Sequence, residues 1–218
     1  ILPGADHGCR NLTMAMEQLQ LAKEAEVDVV VATPHFYPHK ETLEAFLTRR
    51  ERTYSQLCEE IKGKDLPKVV LGAEVYLCPG LQDLEGLETL CMGQSNTILF
   101  EMPREKSKPE LFVTLDEVRE FRHLNPVMAH IDRYESSDVE KLLAMELPAQ
   151  LNAVSLCSFW RRRKLLSYVH AGQIFALGTD IHGTEIGYSE FKKAEAVLKE
   201  EFWNIMEKTR KLLQLPSC

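Results

Sequence analysis

Long hydrophobic runs are missing from this 218-residue chain. Its longest unbroken apolar stretches, such as Val29 to Ala32, fall far below the roughly 18 residues that suggest a bilayer span. A membrane-spanning helix is therefore not expected. Paired cysteines are missing too. The six present, Cys9, Cys58, Cys78, Cys91, Cys157 and Cys218, stand singly, with no Cys-x-x-Cys pair for zinc or redox work. No dense disulfide framework suits a chain of this length, so reduced thiols in a cytoplasm are expected. An excess of positive charge is also lacking. With 26 Lys and Arg against 33 Asp and Glu, the formal net charge is −7 and the overall field repels phosphate backbones. Nucleic acid is a poor partner on that ground. There is no Gly-x-Ser-x-Gly elbow and no Gly-x4-Gly-Lys-Ser/Thr loop. The chain opens Ile1-Leu2-Pro3-Gly4 without an initiator methionine or targeting segment, and the expectation is that its natural start lies upstream.

What is present is the mixture of an ordinary globular domain, 44% hydrophobic and 27% charged, which argues against disorder, collagen and coiled coil. The length fits one domain over residues 1–218, and no repeat or Gly/Ser linker suggests a boundary. One basic run, Arg161-Arg162-Arg163-Lys164 beside Trp160, reads as a solvated helix start, with an anion or partner contact as the alternative.

Six apolar, β-branched runs alternate with amphipathic stretches: 27–33, 68–73, 97–100, 126–129, 150–153 and 173–178. Between them the period lengthens toward 3.6. Asn11 is placed to cap a helix carrying Leu12, Ala15, Met16, Leu19 and Ala22 on one side. Stretches 41–61, 109–121 and 137–145 read similarly, with Pro109 suited to a first helical turn, and one long helix is expected over about 189–213. Strand alternating with helix predicts a parallel sheet covered by helices, open or closed into a barrel. The continuous apolar runs predict strands buried on both faces.

The chemistry sits where these runs stop. The first ends at His35, the second at Glu74, the third at Glu101 and the fourth at His130; the last is followed by Asp180 and His182. Carboxyl ends of parallel strands share one rim, so these side chains should converge. Singly, each has a bland reading as a loop hydrogen-bonder or a solvated acid. Three imidazoles and three carboxylates together would be poor packing and mutually repulsive charge without cations, which predicts metal binding. Imidazole mixed with carboxylate and no thiolate suits Mn, Fe or Zn in a hydrolytic site better than Mg or Ca. Six ligands exceed the need of one ion, and two ions sharing a carboxylate would activate a water near neutral pH. Arg133, three residues past His130, is placed to fork onto a phosphate oxygen; an ion pair with Asp132 or a neighbouring carboxylate is the alternative.

The segments Asp6-His7-Gly8, Ala32-Thr33-Pro34-His35, Gly72 to Tyr76, Phe100-Glu101, Ala129 to Tyr134, Gln150 to Leu156 and Asp180-Ile181-His182 together resemble the PHP-fold, metal-dependent protein tyrosine phosphatases of bacterial capsule and exopolysaccharide operons. The resemblance spans essentially the whole chain in order. It implies an α/β fold, a distorted (β/α)7 TIM-like barrel, and two or three divalent metal ions, manganese first and iron, magnesium or zinc as alternatives. It also implies a phosphotyrosine-containing bacterial tyrosine kinase as substrate and partner. By resemblance, Glu74, Glu101 and His130 are ligands of the central ions, Glu74 bridging, and Asp180 reaches the first ion. His35 and His182 are ligands of the third, helped by Asp6 or His7, and Arg133 holds phosphate. The family has two acids before the glycine where this chain has Asp6-His7. It commonly carries an Asn and then an Arg where Gly183 and the stretch Thr184 to Gly187 stand here, so a second phosphate contact is not implied. Its members open with a strand ending in His-x-His just ahead of Ile-Leu-Pro-Gly, which implies a first strand and two further ligands upstream of Ile1. The alternatives are a PHP phosphoesterase on a small molecule such as histidinol phosphate, and a non-catalytic PHP binding module.

Overall fold

The computed structural model describes residues 1–104, 107–184 and 188–215. Cys218 and most of the Thr184 to Gly187 stretch lie outside the described residues.

All six predicted runs form parallel strands, and the first two resume as a second short strand beyond their predicted ends. The first run gives β1 (Val29–Ala32) and β2 (His35–Phe36), interrupted at Pro34, which has no N–H to give to a ladder. The second gives β3 (Lys68–Leu71) and β4 (Glu74–Tyr76). At the step between them stands Gly72, where a Cβ would lie 2.8 Å from Met92 Cγ, so a larger residue would push the crossing chain away. The rest are β5 (Thr97–Glu101), β6 (Asn125–Met128), β7 (Ala149–Asn152) and β8 (Ile174–Gly178). β1 pairs with β3, and β2-β4-β5-β6-β7-β8 form one parallel sheet in which each run lies beside the next in sequence. That is the winding of a barrel wall.

The helices that the apolar spacing predicts form, and β4 leads to β5 through two short 3-10 turns instead. α1 (Leu12–Glu24) is capped by Asn11, whose side-chain oxygen accepts from the Met14 N–H at 2.9 Å. α2 (Leu43–Ile61) starts on a Thr42 cap, and α3 (Pro109–Arg122) has its proline in the first turn. α4 (Ser136–Ala144) precedes β7; a short α5 (Ala153–Leu156) and α6 (Phe159–His170) precede β8. The single helix expected at the carboxyl end is two, α7 (Tyr188–Leu198) and α8 (Glu200–Leu212). They are hinged at Lys199, whose φ of +54° breaks the helical path without a glycine or proline to signal it. The bend brings Phe202 of α8 edge-on to Phe191 of α7, ring centroids 5.4 Å apart, so both apolar faces share one core.

Burial on both faces holds for β5 and β6 but not for β1 and β8, whose central residues are only half-buried. Among the described residues there are six parallel runs and no seventh, and β1 and β8 do not pair with each other. A cavity of about 660 Å³, lined by Val29 to Ala32 and Ala176 to Gly178 among others, lies between them and reaches His35, Glu74 and His130. The larger core lies on the other side, around Phe36, Phe46, Phe100 and Leu115, each under 2% exposed.

Phe46 packs on Phe36 with ring centroids 5.0 Å apart. Phe46→Ala is expected to cost about 3–5 kcal/mol, read as a drop of roughly 10 °C in Tm. A shift under about 2 °C would show that α2 does not depend on this contact.

Candidate metal centre

The ends of the strands bring the titratable residues together as pairs in register. His35 of β2 lies beside Glu74 of β4, and Tyr76 beside Glu101 of β5. Alternation along each strand turns Val75 into the core and leaves Glu74 and Tyr76 on the opposite face. His130 follows β6, and Asp180 and His182 follow β8.

Two overlapping groups of donors result: His7, His35 and His182, and His35, Glu74 and Glu101. Within each, one ligand atom per residue lies within 4.8 Å of the others. His7 stacks parallel on His35 at 5.0 Å and lies 4.6 Å from His182, ring centre to ring centre. Burial, then the charges of His182 and His35, lower the pKa of His7, which favours the neutral ring that ligates metals. The buried Nδ1 of His35 has no hydrogen-bond partner and sits 3.5 Å from Glu74 Oε1. His182 Nδ1 is 3.0 Å from the Asp180 carbonyl; a proton donated there leaves Nε2 bare. Glu74 is 5% exposed, and its two oxygens lie 3.1 and 3.2 Å from His130 Nε2. Burial and then the Glu74 charge raise the pKa of Glu101, as expected for two carboxylates confined together. For His130 burial acts downward, but its hydrogen bond to Glu74 and the charges of Glu74 and Asp180 outweigh it, and its pKa rises. An orphaned imidazole nitrogen, clustered imidazoles and crowded carboxylates are a donor set that fits divalent cations.

Of the two candidates before Gly8, His7 joins the cluster. Asp6 turns to the backbone: Oδ1 accepts from Gly8 N at 2.8 Å and Oδ2 from His35 N at 3.0 Å. These bonds lower its pKa against the upward effect of burial, and they hold the loop that carries His35. Asp180 pairs with Arg133, so the alternative of an ion pair with a neighbouring carboxylate holds for that arginine. Asp132 is not the partner. Its oxygens accept from Asn152 N at 2.9 Å and Ser155 Oγ at 2.7 Å, fixing the start of α5.

Three features escaped the sequence reading. Asn152 holds His130 Nδ1 at 2.8 Å; turned so that its NH2 group donates to that nitrogen, its oxygen also accepts from Arg133 Nε and Nη2 at 3.2 Å. The Tyr134 hydroxyl donates to the Ala129 carbonyl and accepts from Met102 N at 3.0 Å, which ties together the strand ends next to Glu101 and His130. Tyr37, His39 and Tyr76 form an aromatic wall beside His35. Tyr37 stacks on His35 at 5.5 Å and meets Tyr76 at 5.7 Å, and His39 lies edge-on to Tyr76 at 5.2 Å. The signal for the wall was the position two residues past His35 and Glu74, the same face of each strand. The spacing Cys-x5-Arg of cysteine phosphatases, from Cys157 to Arg163, escaped the sequence reading as well. It forms no phosphate cradle, because Phe159 onward is helix α6 and Cys157 Sγ faces the carbonyls of Ala153 and Glu190.

The fold and the placement of its polar side chains define an α/β protein of parallel strands with its polar cluster at their carboxyl ends. The chain belongs to the CpsB/CapC family of capsular polysaccharide synthesis, whose model matches residues 1–213. No curated protein sequence matches it. Its fold is similar to one from the crystal structures of YwqE from Bacillus subtilis and CpsB from Streptococcus pneumoniae, described as unique metal-dependent tyrosine phosphatases. That match has a TM-score of 0.79 at 20% identity and covers 99% of this chain and 92% of the other. Histidinol phosphate phosphatase from Lactococcus lactis, solved with zinc, L-histidinol and phosphate, matches with a TM-score of 0.57 at 15% identity, covering 85% of this chain and 86% of the other. The architecture, six parallel runs of strand that do not close into a barrel among the described residues, is thus similar to the fold of these two structures.

Tyr134→Phe would leave the Met102 N–H and the Ala129 carbonyl without their partner. A loss of about 1–3 kcal/mol is expected, measured by urea unfolding. An unchanged midpoint would mean that this hydroxyl does not brace the two strand ends.

Proposed function

We propose that the protein is a metal-dependent phosphomonoester hydrolase that removes phosphate from phosphotyrosine in a protein, in the service of capsular polysaccharide synthesis. The observation that carries it is the joining of two donor groups through His35, beside Arg133 and the Tyr37/Tyr76 wall, in a chain of the CpsB/CapC family. His7, His35, Glu74, Glu101, His130, Asp180 and His182 would hold two or three divalent ions, with Asp6 orienting His35. Manganese is the first choice, and iron, magnesium or zinc are alternatives. Such ions supply charge to neutralise a phosphate and bring the pKa of a bound water toward neutrality.

The chain's own groups do the rest. Arg133, paired with Asp180, presents a planar guanidinium that matches two phosphate oxygens and stabilises charge in an in-line displacement. Asn152 fixes the ring of His130, and Tyr134 fixes the strand ends. The rings of Tyr37 and Tyr76 offer an aryl group an apolar, stackable surface next to the donors, which favours phosphotyrosine over an alkyl phosphate such as histidinol phosphate.

A tyrosine kinase of the capsule system is the partner this reading names, and residues 1–218 would act as one domain. The cytoplasm suits it: Cys9, Cys58, Cys78, Cys91 and Cys157 are free thiols. Among the described residues no helix is long and apolar enough to cross a membrane.

Two tests follow. Protein stripped with EDTA is expected to lose turnover of p-nitrophenyl phosphate and of a phosphotyrosine peptide and to regain both with manganese. Glu74→Ala and His130→Ala should abolish turnover, by at least about 10²-fold, while circular dichroism stays native. Turnover surviving either substitution would sink the site. Separately, Tyr76→Leu should lower kcat/KM for phosphotyrosine by about tenfold, roughly the worth of one aromatic contact, and leave histidinol phosphate unaffected. Faster turnover of histidinol phosphate than of phosphotyrosine by the native protein would favour the small-molecule reading. Metal-replete protein inactive on every ester would leave a binding module.

A further inference from the structure

The most exposed large apolar side chains among the described residues are Phe159 and Trp160, 78% and 88% exposed at the start of α6. They meet edge-to-face with ring centroids 5.7 Å apart. Arg161, Arg162, Arg163 and Lys164 follow directly, in a chain whose net charge is −7. Although acids outnumber bases, none of these four cations forms an ion pair among the described residues. Arg161 Nη2 donates to the Asp132 carbonyl at 2.6 Å, and Arg162 donates to the carbonyls of Leu156 and Cys157 at 2.8 and 3.2 Å. Bonds to neutral carbonyls hold these side chains in place without cancelling their charge. The first of them also fastens the patch to the 3-10 turn Ile131–Arg133, which carries the phosphate-binding candidate Arg133. Lys164 Nζ reaches Ser136 Oγ at 2.6 Å, and Arg163 is exposed.

We infer that this aromatic and basic face is a docking surface for an acidic polypeptide segment, the part of the protein substrate that flanks its phosphotyrosine. The inference rests on the reading of the neighbouring site as a tyrosine phosphatase. Charge complementarity selects the occupant, since cations left unpaired in an acidic chain match carboxylates. Exposed rings add the contact area that anchors peptides. Continuity through Arg161 and Asp132 places the surface where chain leaving a bound phosphotyrosine has to pass. An anionic membrane is the weaker match. Clusters that bind such surfaces carry about four to eight free cations, and here only Arg163 and Lys164 are not tied to the backbone.

The experiment measures fluorescence anisotropy of two fluorescein-labelled peptides on the manganese-loaded protein. One carries phosphonomethyl-phenylalanine, a non-hydrolysable phosphotyrosine mimic, flanked by Asp and Glu, and the other is its copy with tyrosine at that position. The variant is Trp160→Ser with Arg163→Glu, two exposed positions, with its Tm checked against the native protein. The Kd of both peptides is expected to rise about tenfold, while kcat/KM for p-nitrophenyl phosphate stays unchanged. An equal Kd in native protein and variant overturns the inference. So does a variant that loses binding to phosphatidylcholine/phosphatidylglycerol vesicles while its peptide Kd is unmoved. If p-nitrophenyl phosphate is not turned over and the peptides still bind in a variant-sensitive way, the docking face stands and the phosphatase reading falls.

Discussion

A buried carboxylate with too many neighbours sets the terms for this molecule. Glu74 is 5% exposed, in contact with His130, and grouped with Glu101 within 4.8 Å. Two carboxylate charges at that separation repel by roughly 3–4 kcal/mol even at an effective dielectric of about 20. Burial and then the Glu74 charge raise the pKa of the half-buried Glu101. Lone hydrogen bonds do not remove such a term, whereas a divalent cation does, and the imidazoles that would complete its coordination are already in place around the carboxylates. The charge balance at the ends of the strands thus suits a divalent cation.

That crowding is a consequence of how the strands are laid. Parallel strands in consecutive order bring all their carboxyl ends to one rim. The interruptions at Pro34 and Gly72 then put His35 opposite Glu74 in the short second half of each run. The polar contacts that brace the rim run between neighbouring strand ends: Tyr134 spans those of β5 and β6, Asn152 at the end of β7 holds His130 after β6, and Asp132 holds the start of α5. Each brace is local in space but distant in sequence. The sheet supplies proximity and these side chains supply orientation.

This distinction decides what could be read from the residues alone. Strand ends, the Asn11 cap and the Pro109 helix start follow rules that act within a few residues, and all three were legible. So was the convergence of His35, Glu74 and Glu101, because topology alone requires it. The choice between Asp6 and His7 was not legible. Asp6 is drawn to the N–H of His35, 29 residues away, a partner that exists only after folding. Arg133 likewise pairs with Asp180 across 47 residues rather than with its neighbour Asp132. The hinge at Lys199 left no trace because neither glycine nor proline makes it. It follows from the gain of packing Phe202 on Phe191.

The backbone carries the last constraint. His130 and Asp180 both lie in the left-handed region, at φ of +53° and +50°, immediately beyond the strands they follow. A non-glycine residue there costs on the order of 1 kcal/mol or more. Glycine would relieve the strain, and the chain uses it at similar conformations elsewhere, as at Gly80 and Gly183. At these two positions glycine would remove the donor. His and Asp are among the side chains most tolerant of this conformation, and both are held by their contacts: His130 by Asn152 and Glu74, Asp180 by Arg133. Strain is thus concentrated where a turn and a proposed metal donor fall on the same residue. That coincidence separates these two positions from the chain's other left-handed residues, such as His123 at the end of α3, where only a turn is needed.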